Sequence, residues 1–513
     1  MKTNILKPLI LCVGLLASSC SDSFIELSPE DQSSSDTFFK DVNGMNQALI
    51  ATYVPLRDFL VNDFYVGELR SDNTHYDYRP TNQGTAIVFR QDIADFINTP
   101  VNNYVNAVYF HLYKVISRAN IVLDRSETAT LEDADRKRIV GEAKFLRAFA
   151  YYKLVRYFGG VPLYLHEVSK AGDTFVKRSS EEEVYKVILD DVDVAIANLN
   201  PPAKFPQNGY ATKGAAVMLK ADVLVTLKQY AEAEKLLKSL SGMGYGLLDE
   251  YADVFKLDNK NSKESIFEVQ YKQGLQGGQQ SDLIYRFLPR SKNTEIITGV
   301  KTDNGGIGGW GTPTDDLIRS YEPGDKRLEV SIGFAEGAFN DSYDFVFSGK
   351  TSILDYLSGK ATKGIPYVKK YVTPHVDKSN TDNNWPIYRY SEALLLLAEV
   401  LNEQGKGEEA LPYINQVRNR AGLGNVTVTD KAQLQDIILK ERRAEFAFEN
   451  HRWLDLVRSG KAIEIMTAYG RELKKTQTYL NDDTYQITKE KFIYPIPFSE
   501  IGIYPELTQN PGY

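Results

Sequence analysis

The chain has 513 residues and a formal net charge of −8, with 60 Lys and Arg against 68 Asp and Glu, and 12% of its residues are aromatic. This composition excludes a disordered chain and a small disulfide-stabilised domain. The acidic balance and the lack of a Lys/Arg-rich run argue against a nucleic-acid-binding protein, because phosphate contacts need a concentrated basic surface.

The first twenty residues have the pattern of a signal peptide. Lys2 and Lys7 give a basic start, residues 9–17 are largely apolar, and small residues lead up to Cys20. The apolar run is much shorter than the roughly 20 residues that a membrane-spanning helix needs. We therefore expect residues 1–19 to be a cleaved leader and not a permanent anchor.

Cys20 resembles the lipidated cysteine in the lipobox of bacterial lipoproteins. Since the only other cysteine is Cys12, cleavage before Cys20 would leave a mature chain with one cysteine, at its first position. Two or three acyl chains there would anchor the protein stably, whereas one would hold it only marginally. The alternative is a plain secretory cleavage near Ala17 with an incidental cysteine at position 20.

Helical patterns dominate the first half of the mature chain. We expect helices at residues 41–59, 101–125, 134–157 and 180–199, with a polar, aromatic-rich segment at residues 65–89. The third helix is followed by Gly159 and Pro162, which are typical of a helix C-terminus. Ser180 and the three glutamates after it are typical of a helix N-terminus.

An internal repeat relates two later segments at a constant offset of 177 residues. Ala221, Leu224, Glu232 and Ala233 match Ala398, Leu401, Glu409 and Ala410. Small residues on both sides of a turn near residues 229–230 are typical of tetratricopeptide helix pairs, in which two antiparallel helices approach closely. Such pairs stack into a solenoid, although unrelated helical hairpins share this pattern.

The region between the repeats is rich in Gly, Asn, Asp, Ser and Thr. This composition predicts loops with short strands, such as one at residues 265–269, and long loops in compact proteins commonly carry function. Helices return at residues 391–420 and 431–460, and the tail from residue 489 is expected to be extended.

We predict one domain, from residue 20 to 513, with a helical part and a loop-rich part. The helical part covers approximately residues 38–60, 101–245 and 386–470. The loop-rich part covers approximately residues 61–100, 246–385 and 471–513.

The usual catalytic and metal-binding motifs are absent from the sequence. No two of the five histidines have the i, i+4 spacing of a helical zinc site, and there is no G-x-S-x-G motif. Residues 306–311 match G-x-G-x-x-G formally, but Pro313 follows and no βαβ unit surrounds them. We interpret them as a loop that presents Trp310 to solvent, and we expect Trp385 and Trp453 in the core.

Paired carboxylates are the remaining enzymatic possibility, because a glycosidase needs only two of them at a suitable separation. Residues 441–458 are the densest group of acids and bases, at i, i+3 spacing along one predicted helix. This spacing favours a salt-bridged helix face with a structural role. A surface glycosidase remains an alternative.

Seven sequence blocks together resemble the SusD/RagB family of outer-membrane nutrient-binding lipoproteins. They lie at residues 142–163, 211–216, 321–327, 388–392, 414–422, 441–458 and 509–513, in the order found in the family. The resemblance implies a mostly α fold, in which four tetratricopeptide-like helix pairs form a SusD-like α-α superhelix that supports an irregular, loop-rich half with short strands.

The same resemblance implies the function. Family members lie on the outer face of the outer membrane, bind a glycan or another large nutrient, and act as the lid of a SusC-like TonB-dependent transporter. They have no catalytic activity, so no cofactor or metal is expected. Two alternatives stay open: the same lid role with a peptide or other non-glycan nutrient, and a lipid-anchored tetratricopeptide scaffold for a protein partner.

The ligand-binding residues must be chosen by chemistry, because they lie outside the blocks that carry the resemblance. Sugars combine apolar C–H faces with polar edges, so aromatic rings beside carboxylate, amide or guanidinium groups are expected. Two loop-like segments contain such residues. The candidates are Asp72, Asn73, Tyr76, Tyr78 and Arg79 in the first segment, and Tyr285, Arg286 and Trp310 in the second.

Overall fold

Helices form most of the fold. The computed structural model describes residues 38–274, 279–302, 307–361, 363–375 and 377–513. The helices that precede the repeat are α1 (Val42–Tyr53), α2 (Pro55–Gly67), α3 (Thr85–Ala94), α4 (Asn103–Thr128), α5 (Asp133–Phe158) and α6 (Glu181–Asn198). The two repeat hairpins are α7 (Lys213–Thr226) with α8 (Tyr230–Ser239), and α14 (Tyr390–Glu403) with α15 (Gly407–Arg420). The predicted leader and Cys20 lie outside the described residues.

Short helices and strands make up the region between the two hairpins and the tail. The helices are α9 (Ile284–Phe287), α10 (Thr294–Thr298), α11 (Asp315–Ser320), α12 (Lys326–Ser331) and α13 (Ile353–Leu357), and after the second hairpin α16 (Lys431–Glu445), α17 (Arg452–Arg458), α18 (Ala462–Lys474) and α19 (Phe498–Ile503). The strands are β1 (Thr74–His75), β2 (Ser265–Val269), β3 (Thr312–Pro313), β4 (Ile332–Phe339), β5 (Phe345–Thr351), β6 (Gly364–Val368) and β7 (Trp385–Arg389). All pairings between these strands are antiparallel: β1 with β3, β2 with β7, and β4 with both β5 and β6.

Several predicted helices are confirmed close to their expected limits. Helix α5 ends at Phe158, and Gly159 follows with φ of +70°, a conformation that a residue with a side chain rarely adopts. Helix α6 begins after Ser180, whose hydroxyl and the Glu183 carboxylate form a reciprocal capping box. The mostly helical fold with short strands is also as predicted, and the predicted strand at residues 265–269 is β2.

The predicted repeat corresponds to two helix pairs in the structure. Helices α7 and α14 begin at Lys213 and Tyr390, and helices α8 and α15 begin at Tyr230 and Gly407. In both cases the two first residues are 177 positions apart, which is the offset of the sequence match. Each helix packs against its own partner, and α8 of the first pair packs against α14 of the second. The repeat is therefore one continuous helical array across a gap in sequence.

Three predicted segments differ from the structure. Residues 41–59 are two helices, because Pro55 begins α2 after a break at Val54. Residues 65–89 are not wholly loop, since α2 continues to Gly67 and α3 begins at Thr85. The tail beyond residue 489 is not extended throughout, because it contains α19.

Residues 431–460 are also two helices and not one. The chain breaks between α16 and α17, where Phe448 and Asn450 have positive φ. The buried carboxylate of Glu68 accepts hydrogen bonds from both of their backbone N–H groups, at 3.1 and 2.8 Å. A long-range bond thus replaces helical hydrogen bonds at this break.

Buried ion pairs connect the loop-rich half to the helices. Arg389, at the end of β7, donates to Glu264, Glu445 and Glu449, and no more than 2% of any of these four side chains is exposed. Arg420 of α15 also donates to Glu445. The acids and bases of residues 441–458 are therefore structural. Arg458 and Asp455 pair at the predicted i, i+3 spacing, but other ion pairs of this segment join different elements inside the protein.

The arginines control the ionisation of this network. Burial by itself raises the pKa of the Glu445 carboxyl, but the guanidinium groups of Arg420, Arg389 and Arg327 outweigh burial and hold that pKa well below its usual range. The pKa of Glu449 is lowered in the same way, by Arg389 and Lys370 against its burial. Both carboxylates are charged in the folded protein at neutral pH.

We expect the substitution Glu445→Gln to lower the free energy of unfolding by about 3–5 kcal/mol, because it leaves buried arginines without their shared carboxylate. Urea denaturation measures this loss. The matched control is Glu464→Gln, since Glu464 is 75% exposed and lies 3.8 Å from Lys461. Its loss should be below about 1 kcal/mol. Equal losses in the two variants would contradict the role given to the buried network.

Acid should destabilise the protein through the same carboxylates. Their folded pKa values lie below the unfolded value of 4.5, so the unfolded chain binds more protons below that pH. The stability that they contribute is complete above about pH 4.5 and is lost as the pH falls further. Urea midpoints measured from pH 7 to pH 3.5 should decline below this point, and Glu445→Gln should flatten the decline. A pH-independent midpoint would contradict this assignment.

Candidate functional site

The structure brings the two predicted loop segments together. Strand β1 pairs with β3, and the backbone N–H of Asp77 donates to the Gly309 carbonyl at 2.8 Å. Tyr76 and Trp310, which are 234 positions apart in sequence, thereby lie side by side with ring centroids 6.2 Å apart. These contacts form one surface from residues that sequence alone placed in separate loops.

Trp310 is not presented to solvent, contrary to expectation. Only 8% of it is exposed, and the Arg90 guanidinium lies 4.5 Å from its ring centroid. Gly308 and Gly309 precede it with φ of +86° and +74°, and a Cβ atom at Gly308 would meet the Leu288 carbonyl oxygen at 2.1 Å. This tight turn folds the indole inward, whereas Trp385 and Trp453 are buried as predicted.

Tyr76 forms the inner part of this aromatic surface. It is 4% exposed, and its hydroxyl donates to the Asp95 carboxylate at 2.6 Å. Burial raises the pKa of Asp95 to about 7, although the hydrogen bond from Tyr76 acts in the opposite direction. Tyr76 therefore supports the surface and offers little of its ring to a ligand.

Tyr78 provides the accessible aromatic face. Its ring stacks on that of Tyr479, with centroids 3.7 Å apart and planes 10° from parallel, and both side chains are only partly buried. The Tyr479 hydroxyl lies 2.9 Å from Nε2 of His75. The sequence analysis did not identify Tyr479 as a candidate binding residue. The sequence feature that points to it is a tyrosine within the polar segment at residues 475–486.

Three arginines belong to the same surface: Arg79 follows Tyr78 in the chain, Arg90 lies over the Trp310 ring, and the Arg286 carbonyl accepts a hydrogen bond from the Trp310 backbone. Arg79 donates to Asp344 at 3.0 Å, Arg90 donates to the Tyr104 hydroxyl at 2.6 Å, and Arg286 donates to Asp282 at 3.1 Å. All three guanidinium groups are partly exposed. We name the surface the tyrosine–arginine cluster; it consists of Tyr76, Tyr78, Tyr479, Trp310, Arg79, Arg90 and Arg286.

Asp72 and Asn73, two predicted ligand contacts, are not at this surface. They are 2% and 0% exposed. The Asp72 carboxylate receives both a bidentate bond from Arg452, at 2.8 Å, and an ion pair from Arg443, and Arg443 also donates to Asn73. Because their polar atoms are engaged inside the protein, we correct their assignment from ligand binding to structure.

Tyr285 also serves the interior. It is 7% exposed, and its hydroxyl donates to the Lys301 carbonyl and lies 2.7 Å from Nε2 of His375. Its hydroxyl is thus engaged inside the protein, and its contact with a ligand stays a prediction. Its neighbour Arg286 remains a candidate because its side chain is 12% exposed beside Tyr65.

A separate groove of about 770 Å³ lies on the helical side. Its walls include Ile50, Pro201, Pro202, Arg138 and the exposed ring of Tyr210. It contains one aromatic residue and no stacked pair of rings. The groove has space for a ligand, but it lacks the aromatic platform and the several guanidinium groups of the tyrosine–arginine cluster.

Neither a metal site nor a membrane-spanning helix is present in the part of the chain that the structure describes. No group of three or more His, Cys, Asp or Glu side chains among the described residues is arranged to hold a metal ion. None of the helices in that part of the chain is both long enough and apolar enough to cross a membrane.

Two family models match the chain. The SusD family model matches residues 263–513, and a second model, described as starch-binding and associating with the outer membrane, matches residues 24–222. The first match contains the buried network and the second contains the residues of the cluster from Tyr76 to Arg90. The two matches together extend over most of the chain.

Individual relatives agree with these matches. The chain is 27% identical to SusD-like protein P38 of Formosa agariphila, over 98% of both proteins. It is 26% identical to the starch-binding protein SusD of Bacteroides thetaiotaomicron, over 81% of this chain and 80% of that one. A solved structure of a laminarin-binding SusD-like protein is similar with a TM-score of 0.74 and 25% identity, over 92% of this chain and 100% of the other.

The corrected role of Asp72 can be tested by stability. We expect Asp72→Asn to lower the free energy of unfolding by roughly 3 kcal/mol, because Arg452 is then buried without a charged partner. Arg443 keeps its ion pair with Asp316, which limits the loss. The control is Asp190→Asn, whose 64% exposed carboxylate pairs with Lys186 and should contribute less than about 1 kcal/mol. Similar urea midpoints for both variants would contradict the structural role.

Proposed function

The chain belongs to the SusD family, and on this basis we propose that it is a non-catalytic protein that binds glycan nutrients at the tyrosine–arginine cluster. The observation that carries the proposal is the partly exposed stack of Tyr78 on Tyr479, with Arg79 next in the chain and the Arg90 guanidinium over the Trp310 ring of the same cluster. The stack offers an apolar face to the C–H groups of a sugar ring. Guanidinium groups beside it offer hydrogen-bond donors to sugar hydroxyls.

The relatives support a glycan as the ligand. One relative is described as starch-binding and another as laminarin-binding, and each resembles this chain over most of its length. One matching family model is described as associating with the outer membrane, and this description supports an outer-membrane location for the protein. The choice of binding residues, in contrast, rests on the contacts within this chain and not on the relatives.

We propose that the protein is anchored by lipid on Cys20 and faces the cell exterior. It would deliver its glycan to a SusC-like TonB-dependent transporter and act as the lid of that transporter. Support for the anchor is the lipobox-like sequence before Cys20. Support for the transporter is the family resemblance, since a lipid-anchored binding protein needs a partner that crosses the membrane.

A binding role without catalysis is consistent with the state of the acidic residues. In the densest acid-rich segment, Glu441, Glu445, Glu449 and Asp455 are all buried in ion pairs with arginine or lysine. A glycosidase needs one carboxyl group that is protonated at working pH beside another that is ionised. Arginine partners oppose protonation, so this segment is unsuited to general acid catalysis.

Titration calorimetry against a panel of polysaccharides and oligosaccharides tests the proposal. We expect binding without release of reducing ends, and we expect Tyr78→Ala to weaken it at least about tenfold, because a central aromatic contact is typically worth more than 1.4 kcal/mol. Tyr210→Ala is the matched control, since Tyr210 is an exposed tyrosine of the separate groove. Its affinity should stay within about twofold of the unmodified protein.

Three outcomes would contradict the proposal in different ways. Release of reducing ends by the pure protein would show a glycosidase. A loss of affinity in Tyr210→Ala with none in Tyr78→Ala would move the site to the groove. If no member of the glycan panel binds, the result would favour a peptide or another nutrient as the ligand, or a protein-interaction scaffold.

A further inference from the structure

An excess of positive charge lies at one side of the tyrosine–arginine cluster. The side chains concerned are Arg79, Arg90, Arg290 and Lys292, which we name the basic rim. Ser291 brings the last two beside the β5 strand, since it forms a bridge with Phe345 and its hydroxyl donates to the Phe345 carbonyl at 3.0 Å. The rim is therefore assembled by backbone pairing as well as by side chains.

Two carboxylates face these four cations. Asp344 is shared by Arg79, at 3.0 Å, and by Lys292, at 3.6 Å. Asp77 accepts a hydrogen bond from Thr312, and burial raises the pKa of its carboxyl. Among the described residues, neither Arg90 nor Arg290 has a carboxylate partner within 4 Å, so the local balance is positive in a chain whose net charge is −8.

Arg290 is the unusual member of the rim. It is 9% exposed, and no hydrogen bond from its side chain is formed with any described residue. Its Nε atom and those of Arg79 and Arg286 are buried without a partner. A buried cation without an anion is costly, and the core arginines Arg327, Arg389 and Arg442 are each paired with carboxylates.

The charges around Arg290 add to the cost of leaving its guanidinium without an anion. Burial lowers the pKa of Arg290, and the guanidinium group of Arg79 lowers it further, while Asp77 and Asp344 only partly oppose this. A bound anion would satisfy the free donors and reduce the repulsion between the guanidinium groups. Charge-assisted bonds from arginine to carboxylate or sulfate are stronger than neutral hydrogen bonds.

We propose that the glycan bound by this protein carries negative charge, as carboxylate or sulfate groups, and that Arg290 with the basic rim binds such a group while Tyr78 and Tyr479 contact a sugar ring. The inference rests on the proposed function and narrows its substrate class. Arg79 of the rim directly follows Tyr78 in the chain, so the rim begins next to the stack.

Calorimetry with four defined probes tests the charge requirement. Oligogalacturonate supplies carboxylates and sulfated galactan oligosaccharides supply sulfates, while maltoheptaose and laminarihexaose are neutral. We expect one of the two charged series to bind at least tenfold more tightly than the neutral probes, and the affinity to fall at least tenfold between 50 and 500 mM NaCl. The series that binds identifies the anionic group.

Variants of the rim test the residue assignment. Arg290→Gln should weaken binding of the charged probe at least tenfold and remove most of the salt dependence. Arg319→Gln is the matched control, since Arg319 is a 56% exposed arginine that pairs with Asp315 away from the cluster. If Arg290→Gln does not fold, Arg79→Gln replaces it, because the Arg79 side chain is 15% exposed and its loss breaks one ion pair at the rim.

The results separate this inference from the function on which it rests. Tighter binding of neutral probes, or unchanged affinity for the charged probe in Arg290→Gln and Arg79→Gln, would overturn the inference and leave glycan binding in place. Failure of all four probes, together with silence across the wider polysaccharide panel, would overturn both.

Discussion

The pairing of Arg389 with three buried carboxylates is the constraint on which the rest of the structure depends. Glu264 precedes β2, Glu445 ends α16 and Glu449 lies in the break after it, and all three contact one guanidinium group. Removing such charges from water is costly unless every group is paired and hydrogen bonded. The three segments must therefore reach one point in the interior, and this requirement joins the loop-rich half to the helical array.

The position of the candidate site follows from this same region. Glu68 binds the backbone of the break between α16 and α17, and Asp72 receives Arg443 and Arg452 from the two sides of that break. These bonds fix the chain only a few residues before Tyr76 and Tyr78. The core thus determines where the tyrosine–arginine cluster begins, although the two tyrosines bond to none of these arginines.

Local sequence predicted the elements whose cause is local. Helix α6 followed from Ser180 and the three glutamates after it, and the hairpins followed from a repeat of small residues, because both patterns are visible in the sequence itself. The break in residues 431–460 depends on Glu68, about 380 positions away, and periodicity does not detect it. Long-range contacts also explain why the site was only partly predicted. Asp72 and Arg79 lie in the same polar segment, and local sequence does not show that one is buried and the other is partly exposed. The stack of Tyr78 needs Tyr479, which is 401 positions away.

Arginine has two different roles in this protein, and pairing distinguishes them. Arg389 in the core faces carboxylates on several sides, and its burial is balanced by charge. Arg290 in the rim is almost as inaccessible but has no carboxylate partner within 4 Å among the described residues, and its buried Nε donates no hydrogen bond to them. The core arginine is surrounded by carboxylates, whereas among the described residues the rim has one ion-paired carboxylate, Asp344, which is shared by Arg79 and Lys292 and leaves Arg90 and Arg290 without a carboxylate partner. A chain with this core can change the residues of the rim, and with them its ligand, without losing the ion pairs that hold the fold together.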